Sequence, residues 1–268
     1  MTVCIKNKNH QILEFLKYKS RSHSIHSVHP PFAFDFFNNI LKKPIPAEKN
    51  KLIEDIRKKG YRNRNVIEHS DMGAGAGDKP YIRTYKRVSQ LVKETAISPH
   101  YGQVLFNLVA HYKPKNVLEF GTSAGISTLY LAAANTGAQI RTMEGCAEVA
   151  TVAHSNFKKA NIDHIEQFTG EFISVLPLAL QTMPSIDMVY IDGNHMKQPT
   201  LEYFNILLNR ANNETIFVFD DIHWSKEMTE AWNTICQNKK VTLSIDLFRM
   251  GIIFFKKELS KQHLILRY

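Results

Sequence analysis

At 268 residues, 44% of them hydrophobic, the chain is long enough to bury one substantial core, and a single catalytic domain with an extension is the simplest organisation. No run approaches the roughly 18 to 20 unbroken apolar residues of a membrane helix, and MTVCIKNKNH lacks an apolar signal core, so no membrane association and a cytoplasmic location are expected. The net charge of +9 is lopsided: residues 1–115 carry +12 and residues 116–268 carry −3, which marks a boundary near Lys115 between a basic, mainly helical extension with a lid role and a catalytic domain.

Taken in chain order, the extension opens with Ile12, Leu13, Phe15 and Leu16, spaced for a short amphipathic helix. His23, His26 and His29 recur every three residues beside Pro30 and Pro31, and with no neighbouring cysteine they read as loop or helix-end residues rather than a metal site. PPFAFDFFNNIL predicts a helix beginning after Pro31, with Phe32, Phe34, Phe36 and Phe37 as packing or lid residues. Segments near 48–59 and 82–95 have helical character, and YGQVLFNLVAHY (101–112) is a good amphipathic helix. No RNA-binding aromatic motif accompanies the basic half, so a solvated basic face is expected in place of nucleic-acid binding. Cys4, Cys146 and Cys236 are far apart and outside any Cys-x-x-Cys pattern, so buried, reduced thiols are expected.

Beyond Lys115, β-branched runs alternate with amphipathic ones, the pattern of a parallel sheet with crossover helices. Strands are predicted at 116–120, 139–144, 164–169, 186–192 and 215–220, with helices near 125–135, 147–160, 171–180 and 197–210. A further helix over SKEMTEAWNTICQ precedes two strands, VTLSIDLF and GIIFFKK, close enough to pair antiparallel. The fold class is therefore α/β: a doubly wound, mostly parallel, seven-stranded Rossmann-like sheet with an antiparallel edge and an N-terminal helical extension.

The most informative segment is VLEFGTSAG, Val117 to Gly125. A strand ending at Glu119 and Phe120, then Gly121, Thr122, Ser123 and Gly125, then an apolar helix, makes a tight turn that lets backbone approach a ligand. The helix amino terminus adds partial positive charge suited to a carboxylate or phosphate. The Gly-x-x-x-Gly spacing lacks the Gly-x-Gly-x-x-Gly of a nicotinamide oxidoreductase, one rival reading, and the Lys-Ser/Thr of a phosphate loop. Glu144 closes the next strand, where a carboxylate can accept both hydroxyls of a ribose. The other possibility for Gly121 and Gly125 is close helix packing alone. SDMGAGAGD (70–78) copies such a loop in letters, but NVIEH before it is a poor strand and DKPYIRTYKR after it is polar, so a loop or lid is expected.

Asp192 ends the fourth predicted strand and Asp220 with Asp221 ends the fifth, a set of oxygen donors that suits a hard cation such as Mg²⁺. The alternative is that Asp192 only orders a cofactor and Asp221 only caps the following helix. His195 can accept a proton near neutral pH or simply contact a ligand. His223 and Trp224 follow closely enough to line an acceptor pocket. Retention of Asp192, His195, Asp220 and Asp221 together argues against a second rival, a non-catalytic cofactor-binding or polyanion-binding protein.

In order and spacing, the glycine loop, Glu144, IDGNH and FDD make residues 116–256 resemble the class I methyltransferases that use S-adenosyl-L-methionine, most closely the catechol-type, cation-dependent O-methyltransferases of small molecules. The resemblance implies that Glu119 to Gly125 hold the methionine part of that cofactor, Glu144 the ribose, and Gly170, Glu171 and Phe172 the adenine side, with Asp192 at the cofactor as well. It also implies a divalent metal on Asp192, Asp220 and Asp221 and a base at His195, where the catechol enzymes place a lysine. The partner implied is a small-molecule acceptor hydroxyl. A homodimer is a common outcome for such a chain.

Overall fold

Apolar and β-branched runs too short for a helix form the strands, and the longer runs between them form the covering helices. The computed structural model describes residues 2–23, 31–71 and 82–268. Their residues fall into two compact units, Asp35–Pro184 in one and Met1–Phe34 with Ser185–Tyr268 in the other.

In the unit 35–184, a π-helical turn (Phe37–Leu41) precedes α3 (Ala47–Arg62), and an antiparallel hairpin follows, β1 (Val66–Asp71) with β2 (Ile82–Arg87). Then come α4 (Val88–Thr95), α5 (Pro99–Tyr112), β3 (Asn116–Phe120), α6 (Ile126–Ala134), β4 (Gln139–Glu144), α7 (Ala147–Lys159), β5 (Ile165–Thr169) and α8 (Phe172–Gln181). Strands β3, β4 and β5 pair in parallel, in that order. Helix α5 starts at Ser98, whose side chain accepts from the Tyr101 N–H, with Pro99 at its first position. It crosses α6 so closely that a Cβ on Gly102 would lie 2.3 Å from the Tyr130 ring. The buried Arg57 guanidinium ties α3 down: Nη1 donates to the Ile97 carbonyl at 2.6 Å and Nε to Glu54 at 3.0 Å, while the Tyr130 hydroxyl donates to the same Glu54 oxygen at 2.8 Å. Such a charge is tolerated in the interior only because it is paired and hydrogen-bonded.

The other unit begins with α1 (Thr2–Arg21) and contains β6 (Met188–Ile191), α9 (Lys197–Leu208), β7 (Ile216–Phe219), α10 (Lys226–Gln237), β8 (Leu243–Asp246), β9 (Gly251–Phe254) and β10 (Gln262–Ile265). Helix α2 (Pro31–Phe36) spans the sequence division between the units. The strand order is β10-β8-β9-β7-β6, with β6–β7 and β8–β10 parallel and β9 antiparallel to both its neighbours. Among the described residues, these five strands and the parallel β3, β4 and β5 of the other unit, with the β1–β2 hairpin left aside, number one more than the seven expected. The antiparallel member is internal, because β10 pairs in parallel outside β8 and takes the edge.

The extension departs from expectation in three ways. NVIEH does form a strand, because β1 pairs with β2 in a local hairpin. Residues 82–87, read as helical, are that second strand, and helix starts only at Val88. Helix α1 is longer than expected, and its apolar stripe is not what holds it: Ile12, Leu13 and Leu16 are 60%, 52% and 60% exposed. Its anchors are polar and aromatic. Tyr18 is buried and donates to the Leu266 carbonyl at 2.5 Å, Gln11 donates to the Trp224 carbonyl, and Phe15 meets Phe248 edge-on. The SDMGAGAGD loop lies almost wholly outside the described residues, as do His26 and His29. His23 makes backbone bonds with Ile265 and Arg267 and belongs to no metal cluster among the described residues. Phe36 is buried, Phe34 is exposed, and Phe32 packs edge-on against Phe254.

Candidate active site

In the unit 35–184 the turn after β3 is built as the sequence implies. Gly121 has φ 90° and Gly125 φ 78°, the left-handed region that glycine enters without steric cost. Gly125 is doubly required, since a Cβ there would lie 2.5 Å from Phe157 and 3.2 Å from Ala153 on α7. Ser123, also left-handed at φ 47°, is fixed from two sides: its N–H donates to Glu144 Oε2 at 2.8 Å and its hydroxyl meets Thr95 Oγ1 at 2.5 Å. Helix α6 then opens with no side-chain cap, so its first N–H groups and the positive end of its dipole remain for a ligand.

Two carboxylates flank this turn. Glu119 is fully buried; Oε2 accepts from Thr128 at 2.5 Å and Thr142 at 2.6 Å, while Oε1 has no hydrogen-bond partner. Burial pushes its carboxyl up to about 7, against the pull of the Thr128, Thr142 and Ser127 hydroxyls. Thr122 supports the same knot through Thr142 at 2.6 Å. Glu144 is half-buried at the end of β4 and held by backbone N–H groups, Ser123 on Oε2 and Cys146 on Oε1 at 3.0 Å. Desolvation raises its carboxyl too, opposed by those N–H groups. The Gly170 N–H donates to the Glu144 carbonyl at 2.9 Å, which brings the Gly170–Phe172 turn beside it; Glu171 is exposed and Phe172 packs edge-on against Phe120. The residues expected around the cofactor in this unit, from Glu119 to Phe172, therefore lie at the ends of β3 and β4 and in the turns that follow β3 and β5.

The hairpin and α4 stand directly behind the turns. Val88, Leu91 and Val92 pack with Ala124, Cys146 and Val149, and the Glu68 N–H donates to Glu148. Thr95, Thr128 and Thr142 were not foreseen as site residues; a threonine facing a buried acid from the next strand or helix could have suggested Thr128 and Thr142, whereas Thr95 meets Ser123 and carries no such signal.

In the other unit, Asp192 follows β6 and accepts from the Tyr190 hydroxyl at 3.1 Å. Asn194 (φ 72°) and His195 (φ 44°) turn the chain back so that His195 Nε2 lies 3.5 Å from Asp192 Oδ1, with the Trp224 ring 6.0 Å from the imidazole. Asp220 is buried after β7. Burial, then the negative charges of Asp192 and Asp221, raise its carboxyl well above the usual range, with Arg249 and His195 pulling the other way. Asp221, at φ 51°, accepts from Arg249 Nε at 3.1 Å and Nη2 at 2.9 Å. The alternative that Asp221 caps the next helix does not hold: Ser225 is the cap of α10, accepting from the Met228 N–H. His223 is a correction as well. Its Nε2 lies 2.8 Å from Asp246 and its Nδ1 3.2 Å from Thr229, which in turn meets His10 at 3.0 Å, so both ring nitrogens are occupied in a structural chain rather than facing an acceptor. Cys146 is buried and Cys236 half-buried; both are free, and burial pushes the Cys236 thiol up to about 12.

As donors for a divalent cation, Asp192, Asp220 and Asp221 fit only in part. Their crowded negative charge suits a cation, but Asp221 is already paired with Arg249, and no group of three or more metal-ligating side chains is gathered among the described residues.

Comparison with known proteins agrees with this layout. A family model for a methyltransferase domain matches residues 118–222. A catechol O-methyltransferase of Niastella koreensis is 33% identical over 130 residues, covering 47% of this chain and 58% of that protein. One from Mycobacterium tuberculosis is 29% identical over 150 residues, covering 54% and 66%. The chain thus spans less than two thirds of the length of the curated relatives it matches. Among solved structures, the O-methyltransferase of Bacillus cereus in complex with S-adenosylhomocysteine superposes with a TM-score of 0.54 at 19% identity, over 83% of this chain and 97% of that one, a likeness of fold. Residues 118–222 are thus similar in sequence to methyltransferase domains, and the chain shares its fold with solved O-methyltransferases.

Proposed function

We propose that this chain is a methyltransferase that moves the sulfonium methyl of S-adenosyl-L-methionine to a hydroxyl oxygen of a small molecule. The observation that carries the reading is the buried Glu119, whose Oε1 meets none of the threonine hydroxyls that hold Oε2, beside an uncapped helix start, with Glu144 held by backbone N–H groups nearby. A zwitterionic amino acid complements that pattern: its ammonium satisfies Oε1 and its carboxylate the free N–H groups. Glu144 takes the ribose hydroxyls, and the Gly170–Phe172 turn takes the adenine. The catechol O-methyltransferase relatives and the S-adenosylhomocysteine-bound structural neighbour support the same cofactor and reaction.

The cofactor carries an activated methyl, so the protein's contribution is alignment and proton removal. As the acceptor oxygen forms its bond to the methyl carbon, the carbon–sulfur bond breaks and its electron pair neutralises the sulfonium. His195 takes the hydroxyl proton, and the Asp192 carboxylate 3.5 Å away stabilises the imidazolium. A divalent cation, if bound, would sit on Asp192, Asp220 and Asp221 and lower the charge on the acceptor oxygen; because these donors fit it only in part, no step above runs through it. The lid role of the basic extension and a homodimeric state belong to the same proposal.

The test is transfer of labelled methyl from S-adenosylmethionine to a panel of hydroxylated small molecules, by the wild type and by His195→Gln. The expected result is turnover in the wild type and a loss of about 100-fold in kcat for the variant, with its proton-acceptor limb flattened and cofactor affinity kept. Absence of transfer to any hydroxyl would refute the reaction; an unchanged rate in the variant would remove His195 as base.

A further inference from the structure

We propose that Arg249 is the resident counter-cation of the acidic residues that follow β6 and β7, so that this chain activates its acceptor beside a guanidinium and needs no divalent metal. The inference rests on the methyl-transfer reading and deepens it.

A lone surface arginine touching a carboxylate is ordinarily worth little. Arg249 differs because its backbone is fixed against the same turn its side chain grips. Two of its N–H groups converge on Asp221 Oδ1 at 2.9 and 3.1 Å, and its carbonyl accepts from the Ile222 N–H at 3.2 Å. The turn between β8 and β9 that carries it is rigid in turn. Leu247 and Met250 are buried and joined by a backbone bond of 2.9 Å, the Phe248 N–H donates to Asp246 at 2.7 Å, and the Phe248 ring stacks on His223 at 5.7 Å and meets Phe15 at 5.0 Å. A positive charge is thereby built into the fold beside a carboxylate held in a left-handed backbone conformation.

The chemical consequence follows from what a guanidinium is. It is charged at every accessible pH and donates hydrogen bonds, but it has no open coordination position for an acceptor oxygen. It can balance Asp221 and soften the field on Asp220, yet it cannot lower an alcohol's pKa by direct coordination as a metal does. Proton removal then falls to His195. Its two N–H groups also take up Asp221 Oδ1, leaving a cation to compete for that carboxylate with a charge already in place.

The test is a Mn²⁺ titration of the full chain followed by electron paramagnetic resonance, on the wild type, Arg249→Ala and Arg249→Gln, with S-adenosylhomocysteine binding and melting temperature measured on the same samples. The wild type is expected to show no saturable Mn²⁺ site in the micromolar range, and a variant that stays folded is expected to bind one ion at least roughly 10-fold more tightly, because a freed carboxylate adds a charged oxygen ligand. Stoichiometric micromolar binding by the wild type would overturn the proposal, as would folded variants that bind no better than the wild type. Loss of S-adenosylhomocysteine binding in every sample would instead overturn the transferase reading and leave the cation result standing.

Discussion

Glu119 joins a titration to the proposed cofactor site within one side chain. Its ordinary value is 4.5 and burial brings it to about 7, so the folded protein holds a proton that the unfolded chain has released across that window. Stability from this group is therefore greatest below about pH 4.5, falls as pH rises, and carries its full penalty, about 3 kcal/mol, above about pH 7. Glu119→Gln keeps the acceptor for Thr128 and Thr142 and removes the titration. The melting temperature of the variant minus that of the wild type is expected to rise from pH 5 to pH 8 in the absence of cofactor; parallel pH profiles would refute the assignment. The raised Asp220 carboxyl is common to both proteins and cancels in that difference, whereas Glu144, whose charge acts on Glu119, contributes through that coupling. Glu119 was legible in sequence as the acid before the glycine turn. Its missing hydrogen bond was not, because which oxygen is satisfied depends on Thr128 and Thr142, from the neighbouring helix and strand.

At the scale of elements, the glycine turn does two things that its letters cannot separate. Gly121 is demanded by backbone angle, Gly125 by angle and by the contact of α6 with α7 through Phe157. Gly125→Ala combines left-handed strain of roughly 1–2 kcal/mol with an overpacking cost of about 1–3 kcal/mol. A loss near 3 kcal/mol in denaturant unfolding is expected, and Gly125→Ala with Phe157→Leu should recover only the packing part. Full recovery would mean that the backbone angle costs nothing. Strands β3 and β4 were readable to the residue because their side chains alternate against cover on both faces. Strand β10 was not, since QHLI is short, half-exposed and defined by pairing with β8, and no local pattern signals a partner about twenty residues away. Helix α1 shows the converse: helical periodicity was real, but Ile12, Leu13 and Leu16 remain exposed while Tyr18, His10 and Gln11 make the attachments.

Over the whole molecule, the charge boundary near Lys115 does not coincide with the compact units. Residues 1–34 group with the C-terminal part of the chain and residues 35–115 with the glycine-loop part, so the basic segment is shared between them. Charge is a surface property and is blind to which apolar side chains pack together, which is why composition suggested one boundary and contacts give another. The cofactor-type residues Glu119 to Phe172 lie in one unit and Asp192, His195, Asp220 and Asp221 in the other. The motifs proposed to carry the chemistry could be located because strand ends are fixed by local sequence; Arg249 was missed because a single arginine in a tight turn gives no signal until the turn is seen beside Asp221. Calorimetric titration with S-adenosylhomocysteine tests whether the turns around Glu119 and Glu144 receive an adenosyl amino acid. The expected result is one site per chain, weakened about 10- to 100-fold in Glu144→Ala at unchanged fold, as the loss of hydrogen bonds to a charged group requires. No binding by the folded wild type, or equal binding by the variant, would contradict it.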